Sequence, residues 1–199
     1  MATNFSPTTD RAGFALLITL LVVGSVLSIG AVLLDTTIKQ VRLASTAKDS
    51  EVSFHAANAG MECARYIRRA ERAAMATGGD INPECFGGMS DPVSVPGDEL
   101  VGNNDGEAFL YEYQFSWGPT DERRCSVIKT IVASSSPAAS DDLVVPDVRD
   151  EIPGYPDPSN EKTCAPGSVC TLVSVQGYNR ACGEITGYGT IEREVLLQF

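Results

Sequence analysis

The chain is poor in the residues that carry most protein chemistry. It has one histidine, His55, standing eight residues before Cys63, and none of its six cysteines falls in the C-x2-C spacing of a zinc site. It contains no G-x-S-x-G, no H-E-x-x-H, no P-loop and no G-x-G-x-x-G. No catalytic residue, metal or cofactor is therefore expected, and the chain reads as a non-enzyme. Basic residues are scarce as well: 15 Lys and Arg stand against 26 Asp and Glu, a net charge of −11. A nucleic-acid binder normally carries a basic stripe, and no direct nucleic-acid motif is present. The acids of residues 141–157 do not follow the D-x-[DN]-x-[DN]-G order of a calcium loop, so a solvated acidic loop is the simpler reading. Two further absences organise the chain. No charge occurs between Arg11 and Asp35, and no proline and no glycine except Gly60 occurs over residues 35–77.

The uncharged stretch is the first positive signal. Phe14 to Leu34 is apolar except for Thr19, Ser25, Ser28, Gly24 and Gly30. As a helix its twenty-one residues span about 30 Å, the thickness of a bilayer's hydrocarbon core. A cleaved secretory signal has a shorter apolar core, and here the helical pattern continues past the run. Residues 35–79 carry an apolar stripe of mostly small residues, Val52, Ala56, Ala59, Cys63, Ile67, Ala70 and Ala74, with Arg65, Arg68 and Arg72 opposite. Small stripe residues call for a partner that approaches closely. The glycines of Thr77–Asp80 are a natural stop. The pattern predicts one helix about 90 Å long, at 1.5 Å per residue.

Residues 80–106 read as a loop rich in Gly, Pro, Asp and Asn. Four strands follow: "AFLYEYQFSW", with Phe109, Tyr111, Tyr113, Phe115 and Trp117 on one face; "CSVIKTIVAS"; "VCTLVSVQGY"; and "TIEREVLLQF". Residues 133–168 read as a long acidic loop. The expected fold is α+β: a long N-terminal helix, its first half transmembrane and its second amphipathic, packed on a C-terminal antiparallel four-stranded sheet. The expected divisions are a leader at 1–13, a membrane and assembly helix at 14–34, an amphipathic half at 35–79 and an extracytoplasmic β domain at 80–199.

All six cysteines follow the apolar run, which suits an oxidising compartment. Cys164 and Cys170 bracket Pro166-Gly167 and close a small loop. Cys125 and Cys182 fall at the same edge of an antiparallel meander. Elimination leaves Cys63 with Cys85, one choice among the fifteen pairings that six cysteines allow.

Taken together, Arg11 and Gly13-Phe14 before "FALLITLLVVGSVLSIGAVLL", the helix "FHAANAGMECARYIRRA" and the last strand "TIEREVLLQF" resemble type IV pilins and pseudopilins, in particular a minor-pilin-like subgroup. The resemblance covers most of the chain, loosely over residues 80–168. It implies a leader cut after Gly13 by a prepilin peptidase, with methylation of the new N-terminal Phe14. It also implies partners in the membrane: the peptidase, other pilin subunits and an inner-membrane assembly platform. The implied location is the cytoplasmic membrane as a single-pass protein, then an extracellular filament of the type IV pilus or type II secretion kind. Gly24, Ser25, Ser28 and Gly30 are the small positions that let assembling helices approach or the helix loosen during extraction. One position departs from the family. Most pilins place a glutamate five residues after the cut, and this chain has Ile18 there. A buried ammonium left without its carboxylate costs several kcal/mol, so either this is a subunit at or near a filament tip, which is the reading favoured here, or its lineage builds filaments without the ion pair. The alternative reading is a single-pass, membrane-anchored surface binding protein that never polymerises.

Overall fold

The computed structural model describes residues 10–85, 87–119 and 123–199, with side chains from residue 13 onward. Helix α1 runs Asp10–Ala70, and a short α2 follows at Arg72–Ala76. Most of the expected leader, residues 1–9, lies outside the described residues. Its last part, from Asp10, is already helical, because no breaker stronger than Gly13 separates Asp10 from the apolar run. The expected single helix is interrupted once, at Glu71 (φ −103°, ψ 24°). Hydrogen bonds from Glu71 N to Ile67 O and from Met75 N to Glu71 O nonetheless carry the helical pattern across. The stop falls at the glycine pair. Gly78 is left-handed (φ 70°), and Gly79 N donates to Ala74 O across the helix end, a Schellman closure that a Cβ at position 78 would strain.

The chain divides into two compact units, one ending at Ala47 and one running Lys48–Phe199. In the first, every described side chain is exposed. It contains one stretch long and apolar enough to cross a membrane, near the N-terminus.

The second unit is built on an antiparallel sheet. Before it come two short strands, β1 (Glu84–Cys85) and β2 (Gly88–Met89), paired with each other. The sheet itself has five strands in the order β3-β4-β5-β8-β9: β3 Asp98–Asn103, β4 Gly106–Trp117, β5 Arg124–Ser135, β8 Val169–Tyr178 and β9 Glu192–Gln198. The expected four-strand count is corrected to five. The added strand, β3, was hidden in the expected loop because Asp98, Glu99 and Gly102 leave it only two apolar residues and a register shift follows Glu99. It joins β4 through an Asx turn in which Asn103 Oδ1 accepts from the amides of Asp105 and Gly106.

The acidic loop is also corrected. β5 continues to Ser135, and residues 143–164 fold into a cap on the sheet's second face. The cap consists of β6 (Leu143–Val145), α3 (Val148–Glu151) and β7 (Lys162–Cys164), with β6 and β7 paired antiparallel. Leu143, Val145, Val148, Ile152 and Tyr155 are buried there against Ala108, Leu110, Ile131 and Leu172. The strands of the cap are three residues long and lie among prolines, too short for alternation to show. The central strand did carry a sign of it: β5 is buried on both faces over most of its length, as a strand between two layers must be.

The first face of the sheet packs on the helix. The stripe in contact is turned from the expected one: Ser53, Ala56, Ala57, Gly60, Ala64 and Ile67 are buried, while Val52 and Ala59 are half-buried and Ala70 is exposed. Close approach selects this face. A Cβ on Gly177 of β8 would lie 2.2 Å from Ala57 N and 2.2 Å from Ser53 O, and one on Gly60 would lie 2.7 Å from a Val175 methyl. Ser126 Oγ donates to Ala56 O at 2.7 Å, and Ser53 Oγ to Ile191 O at 2.7 Å. Backbone thus meets backbone where α1 crosses Gly177, and the helix positions there, Ser53, Ala56, Ala57 and Gly60, are all small.

Candidate anchoring and assembly helix

The residues singled out for processing and assembly all lie on the first half of α1. Gly13 and Phe14 stand in its first turns, with Phe14 68% exposed. The side chain of Arg11, the basic residue of that junction, lies outside the described residues. Ile18 is 45% exposed, the least of the large side chains in the run. A Cβ at Gly13, Gly24 or Gly30 would meet nothing within 4 Å. Ser25 Oγ donates to Val22 O at 2.8 Å and Thr19 Oγ1 to Leu16 O at 2.9 Å, so these hydroxyls bring no unpaired donor into an apolar layer. The structure places Gly24, Ser25, Ser28 and Gly30 in one stretch of exposed helix. Among the described residues nothing packs on Gly24 or Gly30.

In the second unit the six cysteines form three disulfides, Cys63–Cys85, Cys125–Cys182 and Cys164–Cys170. Each ties a peripheral segment to the scaffold: the β1–β2 segment to α1, the loop after β8 to β5, and the cap to β8. The loop from Asn179 to Ile191 is fixed further. Asn179 N donates to Ile191 O, Ile191 N to Asn179 Oδ1, Arg180 to Tyr188 O, and Cys182 N to Ser116 Oγ. Its tip carries Tyr188, fully exposed, a feature with no signal in the sequence beyond its flanking glycines.

The aromatic stripe of β4 is core. Phe109, Tyr111, Tyr113 and Phe115 are buried toward the helix, and Trp117 alone is half-exposed, donating from Nε1 to Ser126 Oγ. Burial pushes the Tyr111 hydroxyl up to about 12 and raises those of Tyr113 and Tyr178 as well. Arg68, expected opposite the apolar stripe, is half-buried and donates from Nε to Thr171 Oγ1 at 3.0 Å. Burial first, and then the neighbouring Arg72 guanidinium, lower its pKa. His55 is exposed, 3.7 Å from Glu51.

The acids of the cap serve its turns. Asp157 Oδ1 accepts from the amide and hydroxyl of Ser159, which lowers its pKa. Asp147, left-handed at φ 53°, accepts from Asn160 Nδ2, and Arg149 ties Tyr155 O and Asp157 O together. Among the described residues no three His, Cys, Asp or Glu side chains converge on a metal-sized site. A groove of about 570 Å³ lies between the end of α1 and the β1–β2 segment, with Ile67 and the Cys63–Cys85 disulfide among its walls and Glu62, Glu71 and Glu84 around it. No family model, no curated protein and no solved structure matches the chain.

Proposed function

We propose that this chain is a non-enzymatic structural subunit of a type IV pilus-like or type II secretion-like filament. In this reading a prepilin peptidase cuts after Gly13. The protein waits in the cytoplasmic membrane on its apolar helix and then joins other subunits through that helix, driven by an inner-membrane platform. What supports the reading is the continuity of α1. One helix carries a membrane-length apolar run, preceded by Gly13, into the buried face of an α+β unit with three disulfides. A plain membrane anchor has no need to continue as the core helix of the domain it holds. A pilin-type subunit uses the same helix twice, in lipid before assembly and among helices after it.

Position 18 refines the proposal. After cleavage the Phe14 amine would be a positive charge inside a dry bundle, and Ile18 offers no carboxylate to a neighbour's amine. Such a subunit can donate its amine to another's glutamate but cannot accept one. That asymmetry suits a minor subunit at or near the tip, present in few copies.

The test is fractionation of cells making a tagged chain. Filaments sheared from the surface should contain the protein. Leu21→Asp, which places a carboxylate in the hydrocarbon layer at about 3 kcal/mol, should remove it from both membrane and filaments. A wild-type chain confined to the membrane under conditions where filaments form would favour the anchored, non-polymerising protein instead.

A further inference from the structure

The two edges of the five-stranded sheet differ. At one edge β3 opens on Asp98 and Glu99, shifts register after Glu99 and covers β4 only from Gly106 to Leu110. Further along β4, Asp91 and Gln114 exchange backbone hydrogen bonds at 2.9 and 3.0 Å. Acidic residues, a bulge and a covering segment are the usual means of blunting an edge. At the other edge β9 pairs with β8 from Glu192 to Gln198 without a shift, and it contains neither proline nor glycine. The direction of its backbone groups follows from one pair. Thr171 N donates to Phe199 O at 2.7 Å and Phe199 N to Thr171 O at 3.0 Å, so these two residues are a hydrogen-bonded pair. The alternation of an antiparallel ladder then gives Leu197, Val195 and Arg193 the bonds to β8. It turns the N–H and C=O of Glu192, Glu194, Leu196 and Gln198 outward. Among the described residues nothing bonds to these outward backbone groups. The side chains leave work undone on both faces. Val195 and Leu197 pack on the helix-side core and Leu196 on the cap-side core, and all three stay half-exposed. A strand added here would cover apolar surface on both faces at once.

We propose that the free edge of β9 is a strand-addition site for an extended segment of a different protein. The outward groups recur every second residue, the spacing at which only another extended backbone can pair with all of them. Charge sets the rest of the segment's chemistry. Glu192 and Glu194 are exposed on the cap side of β9, and the whole chain carries a net charge of −11. The segment therefore alternates, with Lys or Arg beside these glutamates and apolar residues beside Val195 and Leu197 on the helix side. A second copy of this chain is the poorer occupant. Paired antiparallel through β9, it would run its α1 opposite to the first, whereas chains anchored alike in one membrane run theirs in one sense. The inference goes beyond the filament reading and holds equally for an anchored protein that never polymerises.

The experiment uses the full oxidised chain in neutral detergent and a labelled synthetic peptide, as long as β9, that alternates lysine with valine. Fluorescence anisotropy reads binding, and residue-resolved amide hydrogen exchange reads its place. Bound peptide should slow exchange at Glu192, Glu194, Leu196 and Gln198 by on the order of tenfold and leave β3 unchanged. Glu194→Pro and Leu196→Pro each remove an outward N–H and no bond to β8. Each should fold and weaken peptide binding by on the order of tenfold. A peptide of the same composition with its valines in one block, and one alternating glutamate with valine, should bind more weakly by a similar factor. No binding of the lysine–valine peptide, protection away from β9, or equal binding of the blocked or acidic peptide would overturn the proposal. So would undiminished binding by a folded proline variant. If the proline variants do not fold, the exchange pattern of the wild-type chain decides alone. Self-association that protects the same four amides would make a second copy the occupant and overturn the assignment to a different protein.

Discussion

Gly177→Ala tests how the helix and sheet of the second unit are held together. The added methyl would sit 2.2 Å from both Ala57 N and Ser53 O and 2.8 Å from Ala57 Cα. All three atoms are backbone, so no rotamer change relieves the clash. The helix must lift from β8, and lifting it loosens the contacts of Ala56, Gly60 and Ile67 with the sheet and the Ser126 Oγ to Ala56 O hydrogen bond. Overpacking of a tight core costs 1–3 kcal/mol, and a clash with backbone belongs at the upper end, about 3 kcal/mol. For a unit of this size that lowers the melting temperature by about 6–12 °C. The assay is thermal unfolding of the oxidised chain in detergent, followed by circular dichroism. Gly183→Ala is the control, since no heavy atom lies within 4 Å of the methyl it would add. That change should be neutral or stabilising by up to about 1 kcal/mol through the unfolded chain. A Gly177→Ala protein that melts within about 2 °C of wild type would refute the close-contact account of the interface.

The other predictions concern the disulfides, alkaline pH and the membrane half. Removing Cys125–Cys182, which spans 57 residues, should cost about 4 kcal/mol, and removing Cys164–Cys170, which spans 6, about 2 kcal/mol; denaturant midpoints of the two double-alanine variants in the opposite order would contradict this. Tyr111, Tyr113 and Tyr178 have folded-state pKa values raised above the ordinary value of about 10, so stability is full below pH ~10 and falls as pH rises from there toward the folded values, about 12 for Tyr111. Among the described residues the buried hydroxyls of Tyr113 and Thr130 have no hydrogen-bond partner of good geometry; Tyr113→Phe should therefore be nearly neutral at pH 7 and flatten the alkaline loss, and an alkaline fall in the urea midpoint as steep as the wild type's would argue otherwise. Gly24→Leu should spare membrane insertion and reduce the chain's recovery in sheared filaments, and undiminished recovery would count against helix packing at that position. Gold label on the chain should cluster at one end of isolated filaments, whereas even label along the shaft would mean that Ile18 marks a filament built without the ion pair.

The strong periodicities were legible in the sequence. The long helix showed because nothing breaks it between Asp10 and Glu71, and the four longest strands of the sheet showed through β-branched and aromatic residues bounded by turns. The shared edge of a meander was enough to bring Cys125 and Cys182 together on paper. Shorter elements were not legible. β3 is too acidic to alternate, and β6 and β7 are too short, so their stability comes from burying Leu143, Val145 and Cys164 rather than from local preference. The rotation of the helix face was illegible for a related reason. Hydrophobicity ranks Val52 above Ser53, but the contact is decided by how near Gly177 lets the backbone come. At the candidate site the resemblance to pilins singled out Gly13, Phe14 and Ile18, and the apolar run itself its small residues. The described chain shows them exposed.

The most direct test of the central proposal is the intact mass and N-terminal sequence of the protein recovered from cells. Cleavage by a prepilin peptidase predicts a mature chain that begins at Phe14, its amine carrying one added methyl group, with the loss of residues 1–13 blocked by Gly13→Val. A protein that retains Met1, or that begins beyond Leu34 with the apolar run removed, would contradict the account.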